Sequence, residues 1–282
     1  MPKTPSLVVL LVLAACLAGL AAPALAESQL KIFDAHLHYN QEPNPAYGLE
    51  QVLQILRRNG VAGILANSRP NTGTHQLVAT QAPGLAVVAF IRPYRTRADV
   101  SDWSTDPSIY ALIESEYRLG YFRGIGEFHI YGEAAARPLV KKAVDFAAAH
   151  DLYLLAHCDA AALAILIGHN PQAKIIWAHT GFSTPVARVR ALLDAHPALM
   201  AELSYRSGIT EADGRLSAEW RDLFATHSDR FLVGSDTWTD ERWSDYDGII
   251  NGYRQWLAQL PQAQARRIAH GNAERLFGTK LE

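Results

Sequence analysis

Short apolar runs, each followed by a longer stretch with apolar residues at helical spacing, recur about every 30 residues along the chain. This spacing fits one strand, one helix and two connecting loops, which is the repeating unit of a parallel sheet. The pattern predicts eight strands, in the runs at 30–34, 61–66, 85–91, 122–128, 152–156, 174–178, 198–203 and 230–234.

Several of the intervening segments predict helices, and some begin near a proline, which is favoured in the first helical turn. Eight such strand and helix units close into a barrel, so we predict an α/β protein, a single-domain (β/α)8 TIM barrel over residues 27–282. Residues 269–277 predict a turn and a short final helix with Asn272 as its N-cap. The other predicted helices span 49–58, 107–119, 138–150, 185–196 and 217–226.

The first 26 residues do not follow the barrel pattern and are typical of a secretory signal peptide. Lys3 is the only charged residue before Glu27, residues 7–13 are all aliphatic, and Ala24-Leu25-Ala26 supplies the small residues that signal peptidase requires. We therefore expect residues 1–26 to be removed and the protein to be periplasmic or secreted, with no membrane span after cleavage. Residues 13–16 also resemble a bacterial lipobox, which leaves a lipoprotein anchored through Cys16 as the alternative.

Composition excludes several classes of protein. The chain is 49% apolar and 19% charged with a formal net charge of -2, which is typical of a globular protein. These values exclude a disordered chain, a collagen and a polytopic membrane protein, and they argue against a nucleic-acid partner bound through excess positive charge. Without Cys16, Cys158 is the single cysteine, and we expect it to be a buried, inert thiol.

The ends of the predicted strands carry residues that bind metals. The first strand leads into His36-Leu37-His38, and residues two apart on a strand face the same side, so both imidazoles can face the barrel mouth. In a TIM barrel, the carboxyl ends of the strands carry the functional groups. Imidazole and carboxylate groups suit zinc, manganese or iron(II). Four other strands end in such residues, namely Glu127, His157, His179 and Asp236.

These motifs, in this order, resemble the amidohydrolase superfamily of metal-dependent hydrolases, and most closely its amidohydrolase-related branch. The resemblance covers residues 31–278. It rests on His36-x-His38, Glu127, His157, His179, Gly234-Ser235-Asp236 and the terminal Gly271-Asn272-Ala273-Glu274-Arg275-Leu276-Phe277.

The resemblance implies two divalent ions, with zinc expected and manganese or iron as alternatives. One ion would bind His36, His38 and Asp236, and the other would bind His157 and His179. Glu127 would bridge them, at the position where many relatives have a carboxylated lysine. Decarboxylases of the same branch instead hold one ion on the first two histidines, the fifth-strand histidine and the eighth-strand aspartate, and use the sixth-strand histidine, here His179, as a catalytic group.

The implied activity is that of an exported hydrolase, in which a metal-activated water attacks an ester, lactone, amide or phosphoester of a small molecule. Asp236 would take a proton from that water and pass it to the leaving group. A single-metal decarboxylase with His179 as its catalytic group is one alternative, and a non-catalytic metal-binding barrel is another.

Further residues near the predicted mouth are candidates for substrate binding. Arg69, Arg92 and Arg206 follow the second, third and seventh strands, and three cations near one mouth suit an anionic substrate. His129 lies two residues after Glu127 and therefore shares its face. Trp238 and Trp243 follow Asp236 and could line the pocket wall. The remaining histidines are expected to be non-ligands, namely His75, His150, His169, His196, His227 and His270.

Overall fold

The computed structural model describes Met1, residues 29–42 and residues 45–281. The predicted signal peptide, beyond Met1, and Cys16 lie outside the described residues. Eight parallel strands pair in sequence order, each with the next. They are β1 (Ile32–Leu37), β2 (Val61–Ala66), β3 (Ala86–Ile91), β4 (Phe122–Ile130), β5 (Tyr153–Cys158), β6 (Lys174–Trp177), β7 (Met200–Glu202) and β8 (Phe231–Leu232). Each strand overlaps one of the predicted runs, so the predicted eight strands are confirmed.

The sheet curves until β8 meets β1. The amide of Ala35 donates to the carbonyl of Val233 over 2.8 Å, and the amide of Asp236 donates to the carbonyl of His36 over 2.6 Å. The carboxylate of buried Asp34 accepts hydrogen bonds from the Ser235 amide at 2.8 Å and hydroxyl at 2.6 Å. These bonds join the first and last strands, and the single-domain (β/α)8 TIM barrel is confirmed.

Helices alternate with the strands and surround them. The described residues form α1 (Leu49–Arg58), α2 (Thr72–Ala79), α3 (Asp99–Asp102), α4 (Pro107–Tyr117), α5 (Pro138–Ala149), α6 (Ala160–His169), α7 (Val186–Ala195), α8 (Ala218–His227), α9 (Asp240–Ser244), α10 (Tyr246–Leu257), α11 (Gln262–Arg266) and α12 (Asn272–Phe277). The predicted helices correspond to α1, α4, α5, α7 and α8 with ends that differ by at most about two residues. None of the described helices combines the length and the apolar composition needed to cross a bilayer.

The N-cap predicted at Asn272 is wrong. A π-helical turn, Arg267–Gly271, runs directly into α12, so Asn272 already has helical backbone. Its side-chain amide instead donates to the carbonyls of Ser228 and Phe231, each over 2.8 Å. Asn272 therefore ties the last helix to β8.

Two apolar clusters hold the barrel together. The larger cluster lies between the strands and the helices, and the smaller one fills the barrel interior with side chains such as Phe33, Phe90 and Met200. Phe277 of α12 packs against Phe33 and Phe90, with ring centroids 5.8 and 5.9 Å apart. A Cβ at Gly124 would lie 2.4 Å from the Phe90 ring, so only glycine leaves room for it. Apolar side chains thus fill the barrel interior below the carboxyl ends of the strands. The mouth at those ends is left for polar groups.

Candidate metal centre

Four of the predicted ligands lie at one point of the barrel mouth. The Nε2 atom of His36 is 3.6 Å from Oε1 of Glu127 and 3.7 Å from Oδ1 of Asp236. The Nε2 atom of His38 is 3.4 Å from Oε2 of Glu127 and 3.0 Å from Oδ1 of Asp236. All four residues are buried. The fold therefore gathers β1, β4 and the segment after β8 around one small volume.

Hydrogen bonds behind the histidines determine which ring nitrogens face this volume. The Nδ1 atom of His36 donates to Oε2 of Glu202 over 3.0 Å. The Nδ1 atom of His38 donates to the carbonyl of Asn67 over 2.5 Å, and that of His179 to the carbonyl of Ser204 over 3.0 Å. A proton on Nδ1 leaves the lone pair on Nε2. In its neutral form, each of these three imidazoles would therefore present an unprotonated Nε2 to the interior of the site.

The arrangement suits a divalent ion. Ligand atoms that surround a zinc ion at 2.0–2.1 Å in a tetrahedron are about 3.3 Å from one another, close to the separations seen among these four residues. Within the described part of the chain, Nε2 of His36 and Oδ1 of Asp236 are buried and have no hydrogen-bond partner. Buried polar atoms without partners are rare, because leaving them unpaired is costly. A cation would satisfy both.

A second group of ligand atoms adjoins the first through Glu127. Oε1 of Glu127 is 2.6 Å from Nδ1 of His157 and 3.3 Å from Nε2 of His179, and these two nitrogens are 3.1 Å apart. The other oxygen, Oε2, faces His38. One carboxylate therefore lies between the two histidine pairs, in the arrangement expected of a bridging ligand.

The carboxylates of the site are charged. Burial alone would raise the pKa of Asp236, but the neighbouring His36 and His38 outweigh burial and lower it to about 2. Burial would likewise raise the pKa of Glu127, yet the charge of Arg92 and the hydrogen bond with His157 hold it well below its ordinary range. Buried negative charge of this kind requires positive partners, and a divalent ion supplies two charges at one point.

Two of the four predicted substrate-binding residues lie in the site. Arg92 is buried, and its Nη2 atom is 3.0 Å from Oε2 of Glu127. The ring of His129 packs 4.0 Å from the ring of His157, measured between centroids, and its Nδ1 atom is 3.0 Å from the hydroxyl of Tyr94. Burial lowers the pKa of His129 to about 3, against the opposing effect of Glu127, so the ring is neutral.

The other two predicted substrate-binding residues contact protein groups. The guanidinium of Arg69 donates to the side-chain carboxylate of Glu42 over 3.0 Å and to the carbonyl of the same residue. Arg206 donates to the carbonyl of Thr184 over 2.5 Å and lies 5.0 Å from the centroid of the Trp220 ring. Their guanidinium groups therefore have partners outside the cluster of His36, His38, Glu127 and Asp236.

Aromatic side chains border the mouth. Tyr131, Tyr205 and Trp238 are 50%, 45% and 46% exposed, and Nε1 of Trp238 donates to the hydroxyl of Tyr205 over 3.1 Å. The rings of Tyr131 and Tyr205 lie 5.9 and 6.0 Å from those of His157 and His179. Trp243, by contrast, is buried and stacks on the ring of Tyr246.

Several buried residues that contact the site were not predicted from sequence, among them Asp34, Asn67, Tyr94 and Glu202. Asp34 and Glu202 each lie two residues before the polar residue expected at the strand end, which is His36 for the first strand and Ser204 for the seventh. A signal was present, since an acidic residue inside an apolar run is unusual unless it has partners. Asn67 and Tyr94 follow β2 and β3 and carry no comparable signal.

The six remaining histidines lie outside the site, and the predicted burial of Cys158 is confirmed. None of the six histidines expected to be non-ligands belongs to a group of potential metal ligands among the described residues. His75, for example, pairs with Glu116 at 2.7 Å, on helices outside the site. Cys158 is buried in the outer core, and burial raises the pKa of its thiol.

Solved structures with the same fold include two of an amidohydrolase from Burkholderia multivorans. The structure with bound HEPES is 17% identical over 88% of this chain and 99% of that chain, with a TM-score of 0.59. The structure with bound zinc is 19% identical over 84% and 90%, with a TM-score of 0.55. A probable 2-pyrone-4,6-dicarboxylic acid hydrolase from Acinetobacter baumannii with bound citric acid is 14% identical over 88% and 99%, with a TM-score of 0.59. At these identities the shared feature is the fold.

The sequence itself was compared with curated proteins and with family models. No curated protein matches. The family described as amidohydrolase matches residues 33–279, which include every predicted ligand and all eight strands except Ile32 of β1. The chain therefore belongs to the amidohydrolase family and is a metal-dependent hydrolase.

Proposed function

We propose that the chain binds two divalent ions, zinc by preference, and hydrolyses an ester, lactone, amide or phosphoester of a small anionic molecule. His36, His38 and Asp236 would hold one ion, His157 and His179 would hold the other, and Glu127 would bridge them. The observation that carries the proposal is the convergence of buried Nε2 and carboxylate oxygen atoms at the mouth, two of which lack any other partner. Zinc in the Burkholderia multivorans structure supports the choice of ion.

When bound, such ions would make water nucleophilic near neutral pH and polarise the carbonyl or phosphoryl oxygen of the substrate. The other tasks belong to the side chains. Asp236 is ionised, so its carboxylate would accept the proton of the attacking water and return it to the leaving group. His179, whose Nε2 is 3.9 Å from Oδ2 of Asp236, would be a catalytic group only if a single ion is bound. The neutral ring of His129, next to His157, contacts the substrate.

Metal content tests the number of ions. Elemental analysis of purified wild-type protein should give close to two divalent ions per chain, and Glu127→Gln should lose at least one, because it removes the bridging charge. Glu116→Gln is the matched control: it also changes a carboxylate beside a histidine, but on α4, and should keep both ions. A single tight ion in the wild type, unchanged in Glu127→Gln, would contradict the two-ion proposal.

One observation favours the single-metal decarboxylase instead. Arg92 already places a positive charge 3.0 Å from Oε2 of Glu127, so this carboxylate has a cationic partner without a second ion. In that case one ion would bind His36, His38, His157 and Asp236, and His179 would be a catalytic group. Release of carbon dioxide by a protein with one ion would establish this second function.

The charge of the substrate is tested through the arginines. We expect Arg69, Arg92 or Arg206 to bind an anionic group of the substrate, and Arg92 is the one in contact with the ligand cluster. Arg92→Met should raise KM for a carboxylate substrate at least tenfold more than KM for its neutral methyl ester, since only the former loses a charge-assisted hydrogen bond. Equal changes for both substrates in all three Met variants would show that the pocket does not select for charge. The citric acid bound to the Acinetobacter baumannii protein supports an anionic substrate.

We also propose that the protein is exported and that residues 1–26 are its signal peptide. The sequence of these residues supports the proposal. Mass spectrometry of protein purified from an exporting bacterial host should find a chain that begins at Glu27. A mature chain that begins with a lipidated Cys16 would support the lipoprotein instead, and an intact chain in the cytoplasm would contradict both.

A further inference from the structure

Glu202 lies directly behind the proposed metal ligands. It ends β7, and strand alternation turns its side chain into the barrel, while Ala201 and Leu203 face the outer core. The residue is 0% exposed. Its carboxylate is therefore buried in the layer between the apolar interior and the ligand cluster, where an unpaired charge would be costly.

Four donors converge on this carboxylate. Oε2 accepts hydrogen bonds from Nδ1 of His36 at 3.0 Å, from the Ser204 hydroxyl at 2.8 Å and from the His179 amide at 3.1 Å. Oε1 accepts from the Ser204 amide at 2.5 Å. Glu202 thus contacts one histidine of each proposed ion site, the ring of His36 and the backbone of His179. Glu202 also forms a group of potential ligand atoms with His36 and His179, but its oxygens already accept these four hydrogen bonds, so we assign it to the layer behind the ligands.

We propose that Glu202 is a positioning residue for the metal centre: it keeps the proton of His36 on Nδ1 and thereby presents an unprotonated Nε2 to the ion. The inference rests on the proposed function, because it assumes that His36 binds an ion through Nε2. A carboxylate behind a metal-bound histidine fixes the orientation of the ring and makes its nitrogen a better ligand. Among the described residues, Glu202 is the only fully charged group that accepts a hydrogen bond from Nδ1 of His36.

The neighbouring Gly234 supports this assignment. A Cβ at this position would lie 2.5 Å from Oε1 of Glu202 and 2.6 Å from Cβ of His36. Any other residue would therefore displace the carboxylate or the imidazole. The glycine of the Gly-Ser-Asp motif leaves the space in which these two side chains meet.

The test is the affinity for Zn²⁺ of metal-free protein, measured by competition with a chromogenic chelator. Glu202→Gln keeps the shape of the side chain but replaces one acceptor oxygen with a donor NH2 group. Because the four partners are all donors, at least one of them then faces another donor. We expect Kd to rise between tenfold and a hundredfold, the usual effect of losing such a partner. Glu116→Gln, the same substitution beside His75, should leave Kd unchanged.

The visible absorption spectrum of the Co²⁺-loaded protein distinguishes a change in the position of the metal ligands from a loss of protein stability. A change in ligand geometry alters this spectrum, whereas a uniformly less stable but correctly folded protein retains it. We expect an altered spectrum in Glu202→Gln at saturating Co²⁺ and a wild-type spectrum in Glu116→Gln. A Kd within twofold of the wild-type value together with a wild-type Co²⁺ spectrum would overturn the assignment of Glu202 and leave the proposed function intact. Failure of the wild type to bind either ion would overturn both.

Wild-type protein supplies a second measurement that does not depend on how Glu202→Gln folds. In ¹⁵N-histidine-labelled, Zn²⁺-loaded protein, long-range ¹H–¹⁵N spectra should show His36 with its proton on Nδ1, the signal being assigned by its absence in His36→Gln. A proton on Nε2, or coordination through Nδ1, would overturn the proposal.

Discussion

Several residues that reach into the mouth do so from unusual backbone. His179, Tyr205 and Asp236 have φ values of 57°, 52° and 48°, in the left-handed region that non-glycine residues seldom adopt. Each such residue costs on the order of 1 kcal/mol or more, so the hydrogen bonds around it must hold it there. For Asp236, the amide bond to the carbonyl of His36 does so. The conformation turns its side chain back over the barrel axis and towards the imidazoles.

Asp236→Asn tests the role of this carboxylate as a proton carrier. The amide has the same shape and keeps one oxygen for an ion, but it cannot accept a proton at working pH. We expect the fold and much of the metal to be retained while kcat falls on the order of a hundredfold or more, the usual scale for a positioned acid or base. Turnover and metal content should be measured on the same preparation. Near-normal kcat with full metal content would exclude this role.

At the scale of the secondary-structure elements, one network of ion pairs and hydrogen bonds holds the short helix α3 in place. The Asp99 carboxylate accepts hydrogen bonds from the Arg95 amide at 2.6 Å, the Thr96 amide at 3.0 Å and the Arg95 guanidinium at 2.8 Å. The hydrogen bonds from Arg95 are the main reason why the pKa of Asp99 lies below its ordinary value of 3.8. The ionised form is therefore favoured in the folded protein, and it fastens the segment between β3 and α4.

This network predicts a pH dependence of stability. Because folding lowers the pKa of Asp99, its ionised form stabilises the protein above pH 3.8, and this contribution is lost as the pH falls through the lower, folded-state pKa. We expect Asp99→Asn to lower the free energy of unfolding by about 1 kcal/mol at pH 7. The difference between variant and wild type should shrink below pH 4. Urea unfolding of both proteins across this range measures it, and a difference that is constant with pH would contradict the assignment.

At the scale of the whole molecule, the two ends of the barrel have separate tasks. The mouth holds the proposed ligands, whereas α12 closes the opposite end with Phe277, which packs on Phe33, Phe90 and Tyr153. In TIM barrels, the end with the carboxyl termini of the strands carries function and the other end carries stability. The terminal motif that belongs to the family resemblance is thus structural in this chain.

Phe277→Ala tests this separation. Removing a partly buried aromatic ring leaves a cavity against the interior cluster, and we expect the free energy of unfolding to fall by roughly 2–3 kcal/mol. Metal affinity and kcat should stay within twofold of wild type at temperatures where the variant is folded. A large loss of metal affinity without loss of stability would show that the two ends are coupled.

Much of the fold and of the ligand set was predictable from the order of residues. Alternation of apolar strands and amphipathic helices is a local property, and it placed all eight strands and five helices to within a few residues. Because parallel strands all end at one edge of a barrel, the residues at or just beyond their carboxyl ends had to lie near one another. His36, His38, Glu127, His157, His179 and Asp236 were predicted as a group for this reason, and the structure brings them together.

Only the tertiary structure decided which groups lie behind and beside these ligands. Glu202 and Asn67 are far in sequence from the histidines they contact, and no local pattern pairs β7 or β2 with β1 residue by residue. The same limit applies to the arginines. Strand order placed Arg69, Arg92 and Arg206 at one rim, but packing directed Arg92 to Glu127 and the other two to Glu42 and Thr184. Side-chain direction depends on the partners that folding supplies, and those partners come from distant parts of the chain.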